Sequence, residues 1–337
     1  MKRFHCNCGQ ELFFDNSHCN HCGASLGFDT KQLDVIAVIE QGDELQAQNN
    51  PSLRFRRCQL HRQPVNCNWL IADDDANVQC ISCRLTRTIP DQRYLHNQKR
   101  WQVLETAKRR MIYGLLDLNL PINLPDTPLQ FDFLEDQLSN PENGFSQVLS
   151  GHAGGVITIN ASEADGSYRE ATREAMNEPY RTLLGHFRHE VGHYYWQQFS
   201  TTPAHTDFLA LFGDPALDYP AALERYYQHG PPDNWQENFI SAYASAHPLE
   251  DWAETWAHFL LMHEALETAL AFNVIDAPND KVPFSTWLSE WLQLVLVLNA
   301  LNRSIGNADA YPFLISPGVE KKLQFVDQIV RNWPPST

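Results

Sequence analysis

The chain has 337 residues, of which 43% are hydrophobic and 20% charged, and these proportions are typical of a globular protein with a buried core. The sequence contains no run of 18 apolar residues, which excludes an ordinary transmembrane helix. The start MKRFHCNCGQ lacks the apolar segment of a signal peptide, so we expect a soluble, cytoplasmic protein.

The net charge of −16 is unevenly distributed along the chain. Residues 1–110 carry 15 Lys+Arg against 12 Asp+Glu, so the negative charge lies in the remainder. Nucleic-acid binding requires a basic face that contacts phosphates. The acidic remainder therefore argues against nucleic acid as a partner.

All eight cysteines lie before residue 84, and such clustering favours a metal framework over disulfides in a reducing compartment. The first quartet consists of Cys6, Cys8, Cys19 and Cys22. Two tight turns with two thiolates each can supply the four tetrahedral ligands of zinc. A redox dithiol is the alternative, but no βαβ pattern surrounds either pair. We predict that residues 1–29 form a zinc ribbon with one structural zinc ion.

The second quartet consists of Cys58, Cys67, Cys80 and Cys83. Its last two cysteines have the spacing of a zinc-binding turn, whereas the first two are farther apart, so His61 could replace one of them. Ligands could also be shared between the quartets, but each quartet closes locally at a lower entropic cost. We predict a second structural zinc in residues 30–90, which also include a connector with one strand, LDVIAVIE.

Residues 91–337 are predicted to form a mostly helical domain, so that the fold class of the whole chain is α+β. A long helix is expected in RYLHNQKRWQVLETAKRRMIYGLLDL, and a short strand in GGVITINAS. The next helix should begin near Pro179 and end near Phe199. Further helices are predicted at 218–228, 248–272, 285–303 and 317–333.

The helix predicted up to Phe199 contains the run HEVGH, residues 189–193. Because residues four apart share a helix face, His189 and His193 can bind one metal ion. Glu190 is rotated by about 100° from His189 and can lie beside the open coordination position as a general base. This is the zincin arrangement, so residues 91–337 are predicted to be a zincin-like catalytic domain. The alternative is a core helix with two hydrogen-bonded histidines.

A catalytic zinc needs a third protein ligand, and no histidine follows HEVGH at the metzincin spacing. The best candidate segment is AYASAHPLEDWAETWAHF, residues 242–259. Glu250 and Glu254 are four residues apart and share a helix face. One carboxylate can bind the metal while the other accepts a hydrogen bond from a ligand histidine and fixes its tautomer.

HEVGH followed by a Glu-x3-Glu helix resembles the gluzincin group of metallopeptidases. The segment is locally similar to the catalytic region of anthrax lethal factor, in which the pattern Tyr-x6-Glu-x3-Glu recurs. Tyr243, Glu250 and Glu254 stand at these intervals. The resemblance implies that Glu250 is the third ligand, that Glu254 supports a ligand histidine, and that Tyr243 lies near the substrate.

A second resemblance extends over almost the whole chain. The two cysteine quartets, CNWL, GGVITIN, EPYRTLLGHFRHEVGHYYW and EDWAETWAHFL resemble the bacterial family of zinc-binding metallopeptidases with an N-terminal zinc ribbon. This resemblance implies a metallopeptidase, and together with the quartets it indicates one catalytic and two structural zinc ions. The resemblance does not indicate which substrate the enzyme would cleave.

We therefore expect a zinc-dependent enzyme that cleaves peptide or amide bonds in a peptide or protein substrate. Glu190 would act as general base, and Tyr243 would donate a hydrogen bond to the developing oxyanion. The edge of the strand GGVITIN could align an extended peptide. An isopeptide or small-amide substrate is a second interpretation. A zinc-ribbon interaction module with an inactive peptidase-like domain is a third, and it would bind two zinc ions instead of three.

Overall fold

The computed structural model describes residues 1–124, 126–137, 148–176, 178, 181–276 and 282–333. The chain divides into two compact units. The N-terminal unit comprises Met1–Gly151 and Gly155–Tyr168, and the C-terminal unit comprises His152–Gly154 and Arg169–Thr337. A β zinc-ribbon region is thus followed by mostly helical structure, which confirms the predicted α+β class.

The N-terminal unit begins with a two-stranded antiparallel pair, β1 (Phe4–His5) and β2 (Glu11–Leu12). An antiparallel sheet of five strands follows, in sequence order: β3 (Ser25–Asp29), β4 (Asp34–Gln41), β5 (Glu44–Ala47), β6 (Arg54–Arg57) and β7 (Leu70–Ala72). The prediction of a single strand in residues 30–50 was incomplete, because the polar stretch after β4 returns as β5.

One side of this sheet packs apolar side chains from four strands into a small core: Ile36, Val38, Leu45, Ala47, Phe55 and Leu70. A second cluster joins the sheet to the ribbon, because the ring of Phe28 contacts Phe14 at 5.0 Å and Trp69 at 4.9 Å. Tyr113, from the helix described next, contacts Phe14 at 5.4 Å. The metal-binding turns are therefore held on an aromatic core.

The elements that follow along the chain are β8 (Thr86–Thr88), α1 (Leu95–Asp117), β9 (Gln130–Leu134), β10 (Gly151–Ala153) and β11 (Val156–Asn160). Their sheet has the order β10-β11-β9-β8, and β9 runs parallel to both β11 and β8. The strand predicted from GGVITIN is β11, and it has a neighbour on each side. The expectation that β11 offers a free edge is therefore wrong, because the outer strands of this sheet are β10 and β8.

The remaining helices are α2 (Gly166–Ala175), α3 (Leu183–Phe199), α4 (Ala204–Phe212), α5 (Tyr219–His229), α6 (Pro248–Ala271), α7 (Phe284–Ser304) and α8 (Pro317–Arg331). Helices α5 to α8 agree with the predicted ranges to within two residues. Helix α3 begins later than predicted, because the Thr182 side chain accepts a hydrogen bond from Gly185 N–H and caps the helix there. Pro179 lies outside the described residues. Within the described ranges, no helix has the length and apolar character needed to cross a bilayer.

Candidate metal centres

The first cysteine quartet brings its four sulfur atoms together. Each ligand atom lies within 4.8 Å of the others, and the Cys6–Cys22 and Cys8–Cys19 sulfur pairs are both 3.7 Å apart. A tetrahedron with Zn–S bonds of about 2.3 Å has an S–S edge of about 3.8 Å. The turns close because Gly9 and Gly23 adopt positive φ angles of 87° and 74°. The spacing of the sulfur atoms fits zinc.

The second quartet, Cys58, Cys67, Cys80 and Cys83, forms a separate and fully buried cluster. The sulfur atoms of Cys67 and Cys80 are 3.7 Å apart. His61 is directed elsewhere, since its Nδ1 lies 2.9 Å from the carbonyl oxygen of Cys58. The structure thus groups each quartet by itself, and the four donors of the second cluster are all sulfur.

A third cluster of possible metal ligands, His189, His193 and Glu250, lies where α3 and α6 approach each other closely. Gly192 lies against α6, and a Cβ atom at this position would be 3.0 Å from the Cα of Ala253. Trp252 donates a hydrogen bond from Nε1 to the carbonyl oxygen of Gly192 at 2.7 Å. The glycine of HEVGH therefore lets two helices meet along the face that carries the histidines.

His189, His193 and Glu250 converge at this contact, with their potential ligand atoms within 4.8 Å of one another. His189 Nε2 lies 3.1 Å from Glu250 Oε2, and His193 Nε2 lies 3.4 Å from Glu250 Oε1. Glu250 is only 1% exposed. A carboxylate buried to this extent requires a positive partner.

Glu254 approaches His189 from the other side of the ring. Its Oε1 lies 2.7 Å from His189 Nδ1, and its Oε2 accepts a 2.7 Å hydrogen bond from the hydroxyl of Ser241. Burial alone would raise the pKa of Glu254, but the His189 contact lowers it to about 2. Glu254 is therefore an anion that orients the His189 ring with Nε2 toward Glu250.

Glu190 is also buried, and its Oε1 lies 3.1 Å from His186 Nε2. Burial raises the pKa of Glu190, whereas His186, His189 and His193 lower it, and the net change is downward. Its Oε2 atom has no hydrogen-bond partner within the described part of the chain. Glu190 is thus an ionised carboxylate with one oxygen available to a ligand.

Two tyrosines complete the surroundings of Glu250. Tyr243 begins the 3-10 turn Tyr243–Ala246, and its ring centroid lies 6.1 Å from that of His189. Burial raises the pKa of Tyr243 well above its ordinary value, so its phenol remains a hydrogen-bond donor. Tyr219, at the start of α5, donates a 2.7 Å hydrogen bond to Glu250 Oε1. Sequence reasoning missed Tyr219, since it lies 31 residues before Glu250 at no recognisable spacing.

The third cluster fits zinc by its donor set. Two imidazole nitrogens and a carboxylate are the ligands of several catalytic zinc sites, which keep a fourth position for water or substrate. Burial would lower the pKa of His189, yet the carboxylates of Glu250 and Glu254 raise it well above its ordinary value. The cluster therefore attracts positive charge, and a divalent ion held there would meet the buried carboxylate of Glu250.

Comparisons with known proteins agree with this chemistry. The family model described as "Putative zinc-binding metallo-peptidase" matches residues 97–329, and a zinc-ribbon domain model matches residues 3–94. The first match spans more than half of the chain, so the chain belongs to this family, as its sequence resemblance predicted. At the family level it is a zinc metallopeptidase with an N-terminal zinc ribbon.

Proteins of Mycobacterium bovis and Mycobacterium tuberculosis are 40% identical to this chain over 349 residues. The alignments cover 99% of this chain and 97% of each relative, and both relatives are titled uncharacterized. No solved structure matches the chain. The local similarity to anthrax lethal factor stays a prediction.

Proposed function

We propose that this chain is a zinc-dependent peptidase that hydrolyses peptide or amide bonds, with His189, His193 and Glu250 as the ligands of its catalytic zinc. The observation that carries the proposal is the convergence of these three side chains within 4.8 Å, beside the buried carboxylate of Glu190. Membership of the metallopeptidase family supports the same reaction class. The two cysteine quartets would each hold one structural zinc.

Zinc bound at the third cluster would supply a Lewis acid and a water molecule whose pKa is lowered toward neutrality. Glu190 would accept the proton of the attacking water and deliver it to the leaving amine. Two features of Glu190 suit this role. Its lowered pKa keeps it ionised at neutral pH, and its contact with His186 holds one oxygen while leaving Oε2 available.

Tyr243 would donate a hydrogen bond to the oxyanion that develops on the substrate carbonyl. One such donor contributes about 3 kcal/mol to transition-state stabilisation. The raised pKa of Tyr243 favours this role because the phenol keeps its proton. Glu254 acts indirectly, since it orients His189 and is itself held by Ser241.

The substrate is proposed to be an extended peptide or protein segment that pairs with β10, one of the two outer strands of its sheet. His152 of β10 contacts the ring of Tyr194 at 6.0 Å, and Tyr194 follows the metal-ligand candidate His193 on α3. Backbone pairing along β10 would therefore bring a peptide close to the metal-binding helix. We also propose a cytoplasmic location, because eight closely grouped cysteines suit a reducing compartment.

The test is the substitution Glu190→Gln, with Glu224→Gln at an exposed position of α5 as the matched control. Hydrolysis of a quenched fluorescent peptide library should fall by about 10²-fold or more in Glu190→Gln and remain unchanged in the control. Both variants should retain three zinc ions per chain by elemental analysis. If Glu190→Gln cleaves peptides as fast as wild type, the mechanism is wrong.

The zinc count of the wild type separates the proposal from the interaction-module alternative. A chain that binds only two zinc ions and cleaves no peptide of the library would favour a zinc-ribbon module with an inactive peptidase-like domain.

A further inference from the structure

Tyr219 is a polar contact of Glu250 that the mechanism above does not use. Its hydroxyl donates to Glu250 Oε1 at 2.7 Å, while Oε2 of the same carboxylate faces His189 Nε2 at 3.1 Å. Oε1 also lies 3.4 Å from His193 Nε2, so the phenol of Tyr219 contacts only one of the two carboxylate oxygens. A carboxylate held in this way cannot rotate freely about its terminal bond.

The position of Tyr219 is set by a connection between the starts of α5 and α6. His247 is 2% exposed, and its Nδ1 accepts a 3.1 Å hydrogen bond from the backbone N–H of Leu249. Its Nε2 therefore carries the proton and donates to the carbonyl oxygen of Leu217, also at 3.1 Å. Leu217 precedes Tyr219 by two residues, and Leu249 immediately precedes Glu250. The backbone on either side of the phenol–carboxylate contact is thereby linked.

The ring of Tyr219 supports the same connection. Its centroid lies 5.0 Å from that of His247, in an edge-to-face arrangement. Asp218 caps α5 by accepting a hydrogen bond from Ala221 N–H at 3.0 Å. Tyr219 therefore lies at a fixed helix start, although 37% of the residue is exposed. The phenol is therefore held by its contacts with Glu250 and His247.

We propose that Tyr219 is a positioning residue for the third zinc ligand, and that its hydrogen bond to Oε1 holds Glu250 in the orientation that presents Oε2 to the metal. This inference rests on the proposed function, because it takes Glu250 as a zinc ligand. It assigns Tyr219 and Tyr243 different roles. Loss of the Tyr219 hydroxyl weakens metal binding, whereas loss of the Tyr243 hydroxyl slows turnover of the zinc-loaded enzyme.

The direct test is Tyr219→Phe in the full chain, which removes the hydroxyl and keeps the ring. Zinc affinity of the third site is measured by competition with a chromogenic chelator. Loss of an outer contact of this kind costs about 10- to 100-fold in metal affinity, so we expect at least a tenfold weakening. The control is Tyr94→Phe, at a tyrosine that precedes α1 and stacks on His96, and it should change the affinity less than twofold.

A double-mutant cycle shows whether Tyr219 acts through Glu250. In a Glu250→Ala background, Tyr219→Phe should have no further effect on the residual zinc affinity. An undiminished effect in that background, or an unchanged zinc affinity in Tyr219→Phe alone, would overturn the proposal. Thermal unfolding of the variants, with both cysteine quartets still loaded with zinc, checks that the substitutions leave the fold intact.

The outcomes also separate this inference from the proposed peptidase function. If Tyr219→Phe weakens zinc binding but the wild type hydrolyses no peptide, the positioning role of Tyr219 is supported and the proposed peptidase function is rejected. If hydrolysis depends on Glu190 but Tyr219→Phe leaves zinc binding unchanged, the peptidase function is supported and the positioning role of Tyr219 is rejected.

Discussion

Gly192→Ala tests how closely α3 and α6 must pack. A Cβ at this position would lie 3.0 Å from the Cα of Ala253 and 3.2 Å from the Cβ of Trp256. The first of these neighbours is backbone and cannot turn away. Replacing glycine by alanine in a helix interior gains about 1 kcal/mol, but overpacking a well-packed core costs about 1–3 kcal/mol. With a backbone obstacle we take the upper part of that range, and the net loss of stability is about 1–2 kcal/mol.

The same substitution should also weaken the third metal cluster. Relief of the contact requires α3 to move away from α6, and His189 and His193 lie on α3 while Glu250 lies on α6. A small separation of the helices increases the distance between the two imidazoles on α3 and the Glu250 carboxylate on α6, which must bind the same ion. We therefore expect weaker zinc binding at this cluster and unchanged binding at the cysteine quartets.

The assay is thermal unfolding of protein from which mild chelation has removed only the zinc of the third cluster, followed by zinc competition. A loss of 1 kcal/mol lowers Tm by about 2–4 °C in a domain of 150–250 residues, so we expect a decrease of about 2–8 °C. Gly114→Ala is the matched control, because Gly114 lies inside α1 and no atom of the described residues beyond the backbone of its own helix comes within 4 Å of an added Cβ. It should leave Tm unchanged or raise it. If Gly192→Ala behaves like Gly114→Ala in both Tm and zinc affinity, the packing argument is refuted.

Three further predictions concern the metals. Glu254→Gln removes the anion beside His189 and should weaken zinc binding at the third cluster by about 10- to 100-fold in a chelator competition, whereas equal affinity would contradict the orienting role. Arg109 is 2% exposed. Burial lowers the pKa of its guanidinium, but Cys67 and Cys83 raise it, and the net change is an increase. The positive charge of Arg109 therefore lies near the second quartet. Arg109→Met should therefore accelerate zinc loss from that quartet and spare the first, as followed by thiol alkylation and mass spectrometry. Mild chelation of the wild type should remove the zinc of the third cluster before the zinc of the quartets, because an open coordination site exchanges its ion more readily than a closed one. Simultaneous loss of all three zinc ions would argue against an open site at the third cluster.

The sequence by itself determined the features that depend on short spacing. The cysteine pairs indicated metal-binding turns, and His189 and His193 had to share a face because the α-helix has 3.6 residues per turn. The same periodicity placed Glu250 and Glu254 on one face of α6. Helix α4 and strand β5 were missed, because their short and mixed sequences carry no clear period.

Only the tertiary structure decided how α3 and α6 meet. It placed Glu250 against both imidazoles and Glu254 against the far nitrogen of His189, whereas helix periodicity allowed either carboxylate to face the metal. It also brought Tyr219 to Glu250 and gave β11 a neighbour on each side. These contacts join residues that are distant in the chain, and they form only where packing permits, as at Gly192. Local periodicity fixes the direction of a side chain within its own helix, but the partner it meets is selected by the packing of the whole domain.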